Sequence, residues 1–364
     1  MLEEIDLSTV TPGVDHTEMD AVAQFLASHD LDLDGDLDII LVARHFGELI
    51  GCAALAGGIV KCVAVAQHAQ GLNLLPHLMT ELSYIAHARG HAHLFVYTKP
   101  RYQDLFTSCG FHPIVAVPDQ VVMMENTPRG IRGYTEDLRN YRRIRDKVGA
   151  VVLNANPFTK GHQHLLREAA RDCDYLHVFV VAEDASYFPF TDRLALVRAG
   201  VAEMSERDHI HVHPGTTYVV SKATFPSYFL KDSGLVDMCA TAVDLLIFRE
   251  HIAPALGVTH RYVGTEPFCR VTRQYNTDMH YWLERRDLPP SFAAPVQVVE
   301  IPRVAAGDEP GSQAISATNV RRLLELGDLD QLRPLVPDPT FALLAAKYAP
   351  DAPPPPQRAS TRPC

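Results

Sequence analysis

The stretch Gly149–Leu166 constrains the fold more than any other part of this chain. An apolar run from Ala150 to Leu153 reads as a strand buried on both faces, the form strands take inside a parallel sheet. Asn154 to Pro157 break that run. Thr159-Lys160-Gly161-His162 follow, and Leu165, Leu166, Ala169 and Ala170 then recur at helical spacing. The stretch is therefore strand, turn, helix, with Thr-x-Gly-His where the helix begins.

A helix start presents free backbone N–H groups and a partial positive charge, both of which attract phosphate. Gly161 allows close backbone approach to a ligand. Thr159 and His162 can donate hydrogen bonds, and Lys160 adds charge. The same residues also suit an ordinary capped helix. A second motif, Ile315-Ser316-Ala317-Thr318-Asn319-Val320-Arg321, follows the strand candidate Val296–Ile301 and a loop. It opens a helix through Leu323, Leu324 and Leu326 that stops at Gly327. Ser316 or Thr318 can cap it, and Arg321 lies about one turn in, at the same end. Alone, this too reads as a capped surface helix. Together the motifs describe opposite walls of one triphosphate pocket.

These residues resemble the nucleotidyltransferase superfamily, whose signature is His/Thr-x-Gly-His followed late in the chain by Ile-Ser-Ser-Thr-x-x-Arg. Within it, three longer motifs resemble the citrate lyase ligase family: Asn-Ala-Asn-Pro-Phe-Thr-x-Gly-His (154–162), Ala-Thr-Phe-Pro-x-Tyr-Phe (223–229) and Val-Gly-Thr-Glu-Pro-Phe-Cys-Arg-Val-Thr (263–272). The resemblance spans residues 15 to 345.

At 364 residues the chain suits two domains, and a formal net charge of -11 argues against a nucleic-acid surface. It leaves room for ATP, which needs only a local basic site. Cysteines 52, 62, 109, 173, 239, 269 and 364 are scattered and odd in number, without a Cys-x-x-Cys pair. That pattern reads as reduced thiols in a cytoplasmic protein, with neither disulfides nor zinc. The acidic start lacks a secretion signal, and no apolar run approaches the ~20 residues of a membrane span.

In the amino-terminal half, Glu18–Ala27 has the spacing of an amphipathic helix. Asp30, Asp32, Asp34 and Gly35 suggest a calcium loop, but the twelfth position is Leu41 rather than glutamate, so the segment reads as a solvated loop. Asp38–Arg44 and Leu49–Gly57 form a hairpin pattern. A strand (Val60–Val65), a helix (Leu72–Arg89), a strand (Leu94–Thr98), a short helix (Tyr102–Cys109) and a strand pair (Phe111–Val117, Gln120–Glu125) follow. This order resembles the GNAT acyltransferase fold. Of that fold's pyrophosphate-loop positions, His68, Gly71 and Asn73 here, only Gly71 matches.

Thr127–Lys147 is rich in arginine and reads as a basic linker helix. Beyond it the spacing predicts strand Tyr175–Val181, helix Leu194–Met204 and strand His209–His213. Helices around Lys222–Lys231 and Leu245–Leu256 and strand Arg261–Val263 come next. Alternation puts His209, His211 and His213 on one strand face, read as a surface or pocket edge rather than a zinc site. Alternating strands and helices over 148–330 argue a doubly wound parallel sheet, with ligand loops at 154–162, 264–273 and 312–318. The expected domains are a GNAT-like α+β domain (1–126), the linker (127–147), a Rossmann-like nucleotidyltransferase domain (148–349) and a Pro-rich disordered tail (350–364).

The resemblance implies an ATP-dependent ligase. ATP and acetate give acetyl-adenylate and pyrophosphate, and acetate passes to the thiol of the phosphoribosyl-dephospho-CoA group on the citrate lyase acyl carrier subunit. His162, Thr159 and Arg321 are the expected catalytic residues. Asn154, Asn156, Phe158, Lys160, Gly161, Gly264, Thr265, Glu266, Ser316 and Thr318 are expected to bind ATP. Gly264, Thr265 and Glu266 are expected on the adenosine side. Mg2+ is expected on the phosphates, without a protein cage. An adenylyltransferase acting on a phosphorylated coenzyme precursor is the alternative, and a non-catalytic carrier-binding protein a third reading.

Overall fold

The computed structural model describes residues 5–182, 186–221, 223–224, 238–266, 269–289, 292–304 and 315–348. The expected helix at 222–231 and the Pro-rich tail lie outside them, apart from residues 223–224. The chain forms two compact units that divide at Tyr134/Thr135.

The first unit runs β1 (Ile5–Val10), α1 (His16–Ala27), β2 (Ile39–His45), β3 (Glu48–Ala56), β4 (Ile59–Val65), α2 (Leu74–Ala88), β5 (Phe95–Thr98), α3 (Gln103–Ser108), β6 (His112–Val117) and β7 (Val121–Glu125). Its seven strands are ordered β1-β2-β3-β4-β5-β7-β6. All neighbours are antiparallel except β4 and β5, which pair in parallel only through Ile59–Phe95 and Val60–Val96. That is the GNAT-like arrangement expected from the order of elements. Strand β1 was not legible in the sequence.

Strand β2 shows why the sheet needs helices on both faces. Ile39, Leu41 and Ala43 share a core with Leu74, Leu78 and Leu82 of α2, while Ile40 and Val42 share another with Val22 and Leu26 of α1. The aspartates read as a solvated loop serve this sheet: Lys61 of β4 pairs with Asp34 at 2.7 Å and Asp36 at 2.8 Å. Asn73 adopts a left-handed conformation just before α2, which asparagine tolerates better than most residues.

Helix α4 (Gly130–Arg139) carries the chain across the division. It is shorter than the linker helix expected over Thr127–Lys147. Pro128 precedes its start, and beyond its end the Tyr141 ring lies 4.3 Å from that of His211, leaving the helical path.

The second unit contains β8 (Val148–Leu153), α5 (Lys160–Asp172), β9 (Tyr175–Val180), α6 (Phe190–Ala202), β10 (Ile210–Pro214), α7 (Met238–Ile247), α8 (Ala253–Leu256), β11 (His260–Gly264), α9 (Arg270–Glu284), β12 (Gln297–Ile301), α10 (Ala317–Glu325), α11 (Leu329–Leu332) and α12 (Asp338–Lys347). Its sheet is wholly parallel in the order β10-β9-β8-β11-β12. The order reverses direction between β8 and β11, the place where doubly wound sheets bind ligands. Those two strands pair only through His260–Gly149 and Arg261–Ala150. The ladder between them therefore stops before their carboxyl ends.

Helices α5 and α6 bury Leu165, Leu166, Ala169, Leu196, Val197 and Val201 in one core with the strands. A separate core joins α10, α11 and α12 through Val320, Leu323, Leu332 and Leu344, and also takes in Phe188 and Ile315. His209 precedes edge strand β10 and His211 lies half-buried on it, as a surface edge requires, but His213 turns inward. His213 is 3% exposed, and its Nε2 lies 2.9 Å from Nδ1 of His177, itself fully buried on β9. No helix among the described residues is long and apolar enough to cross a membrane.

A Cβ added to Gly200 of α6 would stand 2.3 Å from Cε1 of the buried Phe158 ring. Gly-to-Ala in a helix ordinarily stabilises. Here overpacking dominates, and Gly200→Ala is expected to destabilise the second unit by about 1–3 kcal/mol. A urea unfolding midpoint equal to the parent's would refute that reading.

Candidate nucleotide site

The site is built from the loop after β8. Leu153 ends the strand, and the turn that follows is held from beneath by Arg193 of α6, which is fully buried. Its Nη1 donates to the Asn154 carbonyl at 3.0 Å, the Asn154 Oδ1 at 3.1 Å and the Val181 carbonyl at 2.7 Å, and its Nε donates to the Phe188 carbonyl at 3.1 Å. Sequence reasoning missed this residue. Nothing in the local pattern separates it from a surface arginine.

The two asparagines of the motif spend their side-chain oxygens on the neighbouring loop. Asn154 Oδ1 also accepts from Ser186 Oγ at 3.0 Å, and Asn156 Oδ1 accepts from the Phe188 N–H at 3.0 Å. Phe158, expected to touch nucleotide, is instead fully buried in the core. Its ring stacks on His162 at 5.8 Å between centroids.

Thr159 and His162 lock each other. The Thr159 N–H donates to His162 Nδ1 at 3.0 Å, and Thr159 Oγ1 accepts from the His162 N–H at 3.3 Å. Thr159 is 1% exposed. Its hydroxyl was expected on phosphate, yet it caps α5 and fixes the imidazole. Because Nδ1 accepts a backbone N–H, the neutral ring carries its proton on Nε2 and is a donor there. Burial first, and the positive charge of Arg303 second, hold the His162 pKa down to about 4 from an ordinary 6.5.

Gly161 was expected to admit a ligand. The space a Cβ would enter holds the Ile315 carbonyl oxygen, 3.3 Å away. The glycine therefore lets the second motif approach the first. Lys160 stands exposed as the first residue of α5.

Ser316 caps α10 by accepting the Asn319 N–H at 3.1 Å. Arg321 reaches back from that helix. Its Nη2 donates to the Thr318 hydroxyl at 3.0 Å, and its Nη1 donates to the Asn156 carbonyl. Both motifs thus meet at the carboxyl end of β8.

The third loop arrives from β11. The Thr265 N–H extends the ladder to the Ile301 carbonyl at 3.0 Å, and the Gly264 carbonyl accepts from Asn276 Nδ2 at 3.1 Å. Glu266 was expected beside adenosine. It faces inward, with Oε1 on the Cys269 N–H at 3.0 Å and Oε2 paired with Arg303. Arg303, just past β12, was not anticipated. No group of three or more His, Cys, Asp or Glu side chains among the described residues could hold a metal ion.

Comparison with known proteins adds to this geometry. A family model described as the citrate lyase ligase C-terminal domain matches residues 148–344. The citrate (pro-3S)-lyase ligase of Escherichia coli (strain K12) is 45% identical over 339 residues, covering 93% of this chain and 94% of that protein. That of Klebsiella pneumoniae is 42% identical over 330 residues, covering 91% and 93%. Among solved structures, Escherichia coli ElaA is 16% identical with a TM-score of 0.30, covering 34% of this chain and 99% of that one.

Three histidines here resist protonation: His162 with a pKa of about 4, His177 of about 3 and His213 of about 2, each held down chiefly by burial. Above the ordinary value of 6.5, all three are neutral folded or unfolded, and no stability is at stake. Below it the unfolded chain binds protons that the folded chain refuses, so stability falls as pH falls. The expected outcome is a urea midpoint that is level above pH 6.5 and declines steadily toward pH 4. Histidine NMR signals still titrating near 6.5 for these three would contradict it.

Proposed function

The chain belongs to the citrate lyase ligase family, and from that premise we propose that it activates acetate with ATP and acetylates the prosthetic thiol of the citrate lyase acyl carrier subunit. The observation that carries the adenylyl-transfer reading is the bond from Arg321 to the Asn156 carbonyl, which joins the two anion-binding helix starts over one crevice.

An acetate carboxylate oxygen attacks the α-phosphorus of ATP as the bond to the β-phosphate oxygen breaks, and pyrophosphate leaves with that electron pair. The carrier thiolate then attacks the acetyl carbonyl and AMP departs. The first step needs no protein nucleophile, only alignment and stabilisation of charge on phosphate oxygens. His162 Nε2–H supplies a neutral donor to the α/β-phosphate oxygens. Thr159 acts through His162. Arg321 and the start of α10 at Ser316 and Thr318 hold the β- and γ-phosphates. Asn154 and Asn156 shape the turn that ATP rests on, and Lys160 faces the same helix start. Mg2+, when bound with ATP, would neutralise phosphate charge; such an ion is held largely by phosphate oxygens and water and would need no protein cage. The free thiols at Cys52, Cys62, Cys109, Cys173 and Cys269 suit a reducing cytoplasm.

An adenylyltransferase acting on a phosphorylated coenzyme precursor is the less favoured reading, because the relatives matched over nine-tenths of the chain are named citrate lyase ligases. One assay separates the readings: protein, ATP, acetate and deacetylated citrate lyase, followed for pyrophosphate and recovered lyase activity. Both should appear together and require acetate. Pyrophosphate formed only with a phosphorylated acceptor would favour the alternative. His162→Ala is expected to lower turnover by ~10²–10³-fold. Near-parental turnover in that variant would remove the assignment.

A further inference from the structure

We propose that Arg303 is a further phosphate-binding residue of this site, held in place by Thr265 and Glu266. The proposal rests on the adenylyl-transfer reading and names a residue which that reading does not use.

Arg303 leaves the sheet just after β12. Its Nε donates to the Thr265 carbonyl at 2.7 Å, and its Nη2 pairs with Glu266 Oε2. Both holders are themselves fixed. Thr265 is bonded to Ile301, and Glu266 is bonded through Oε1 to the Cys269 N–H and through its carbonyl to Arg273 Nε at 3.0 Å. The Glu266 side chain is only 7% exposed, whereas 29% of the Arg303 side chain remains open. A guanidinium has five N–H donors in a rigid plane. Two are directed into the strand ends, which leaves others for a ligand.

The direction of that ligand follows from the sheet. Arg303 is bonded to the residue that follows β11, and β8 and β11 are the strands between which the order reverses, so its open side stands at the carboxyl ends where such sheets bind ligands. Its positive charge also opposes a proton on His162. The anion bound there is the one whose charge rises as the α–β bond of ATP breaks. A carboxylate in fixed ion pairing also suits a binding arginine. Glu266 offsets part of the Arg303 charge before ATP arrives, and it presets the plane of the fork.

Calorimetry with inorganic pyrophosphate on the full chain tests this. Arg303→Ala should weaken pyrophosphate binding by about tenfold or more, leave the acetate KM within about twofold and raise the NMR titration midpoint of His162. Arg303→Gln keeps a donor for Thr265 and Glu266 and guards against a folding defect. It should show the same loss with an unchanged melting temperature. Parental pyrophosphate affinity in both variants overturns the proposal. So does a rise confined to the acetate KM, which would assign Arg303 to the carboxylate. A parent protein that binds neither ATP nor pyrophosphate would overturn the adenylyl-transfer reading itself, a result distinguishable from failure of the variants alone.

Discussion

The hydrogen bond from Arg321 to the Asn156 carbonyl spans 165 residues of sequence, and the site depends on it. It joins the turn after the central strand to a helix that otherwise belongs to a separate core. Two further contacts make the join exact in register. Gly161 lacks the side chain that would keep Ile315 away, and the Phe188 N–H donates a hydrogen bond to the Asn156 side-chain oxygen while the Phe188 ring sits in the α10 core. Remove any of these and two helix starts remain, no longer held together as the proposed binding of one triphosphate requires.

Cationic groups gather in this crevice although the chain as a whole is acidic. Arg193 lies under the turn, Arg321 closes it from α10 and, on the proposal above, Arg303 borders it from β12. Their roles differ with burial. Arg193 is wholly enclosed and gives its donors to carbonyl oxygens and to Asn154, so it shapes backbone rather than binding ligand. A buried guanidinium stripped of those acceptors would be costly. Arg303 and Arg321, by contrast, keep part of their side chains open.

The parallel sheet and its reversal were legible because continuous apolar runs such as Tyr175–Val181 alternate with helical spacing, and few other folds accept that pattern. The GNAT-like half was legible from the order of its elements. The β1 strand was not, because the alternation Ile5-Asp6-Leu7-Ser8 runs for only four residues before Thr9 interrupts it. Site residues divided along a physical line. His162, Ser316, Thr318 and Arg321 stand in compact motifs at helix starts, where local sequence implies local geometry. Arg303 and Arg193 owe their position to strands and helices far along the chain, and neither has a local signature. Thr159, Gly161, Phe158 and Glu266 were recognised as important, but their partners proved to be protein groups: an imidazole, a carbonyl, a helix and a guanidinium. His213 was misplaced because alternation gives a face without saying that a second sheet-borne histidine, His177, would meet it.

The reciprocal bonding of Thr159 and His162 makes secondary structure and chemistry hostage to one lone pair. The nitrogen that accepts the Thr159 amide is the only basic atom left on the ring, so a proton landing there deprives that amide of its acceptor in the same event that changes the ring's charge. Such a residue is poorly placed to serve as a general base. Evolution of this scaffold toward reactions that need proton abstraction would have to recruit another side chain, and the donor-only role is written into the helix itself.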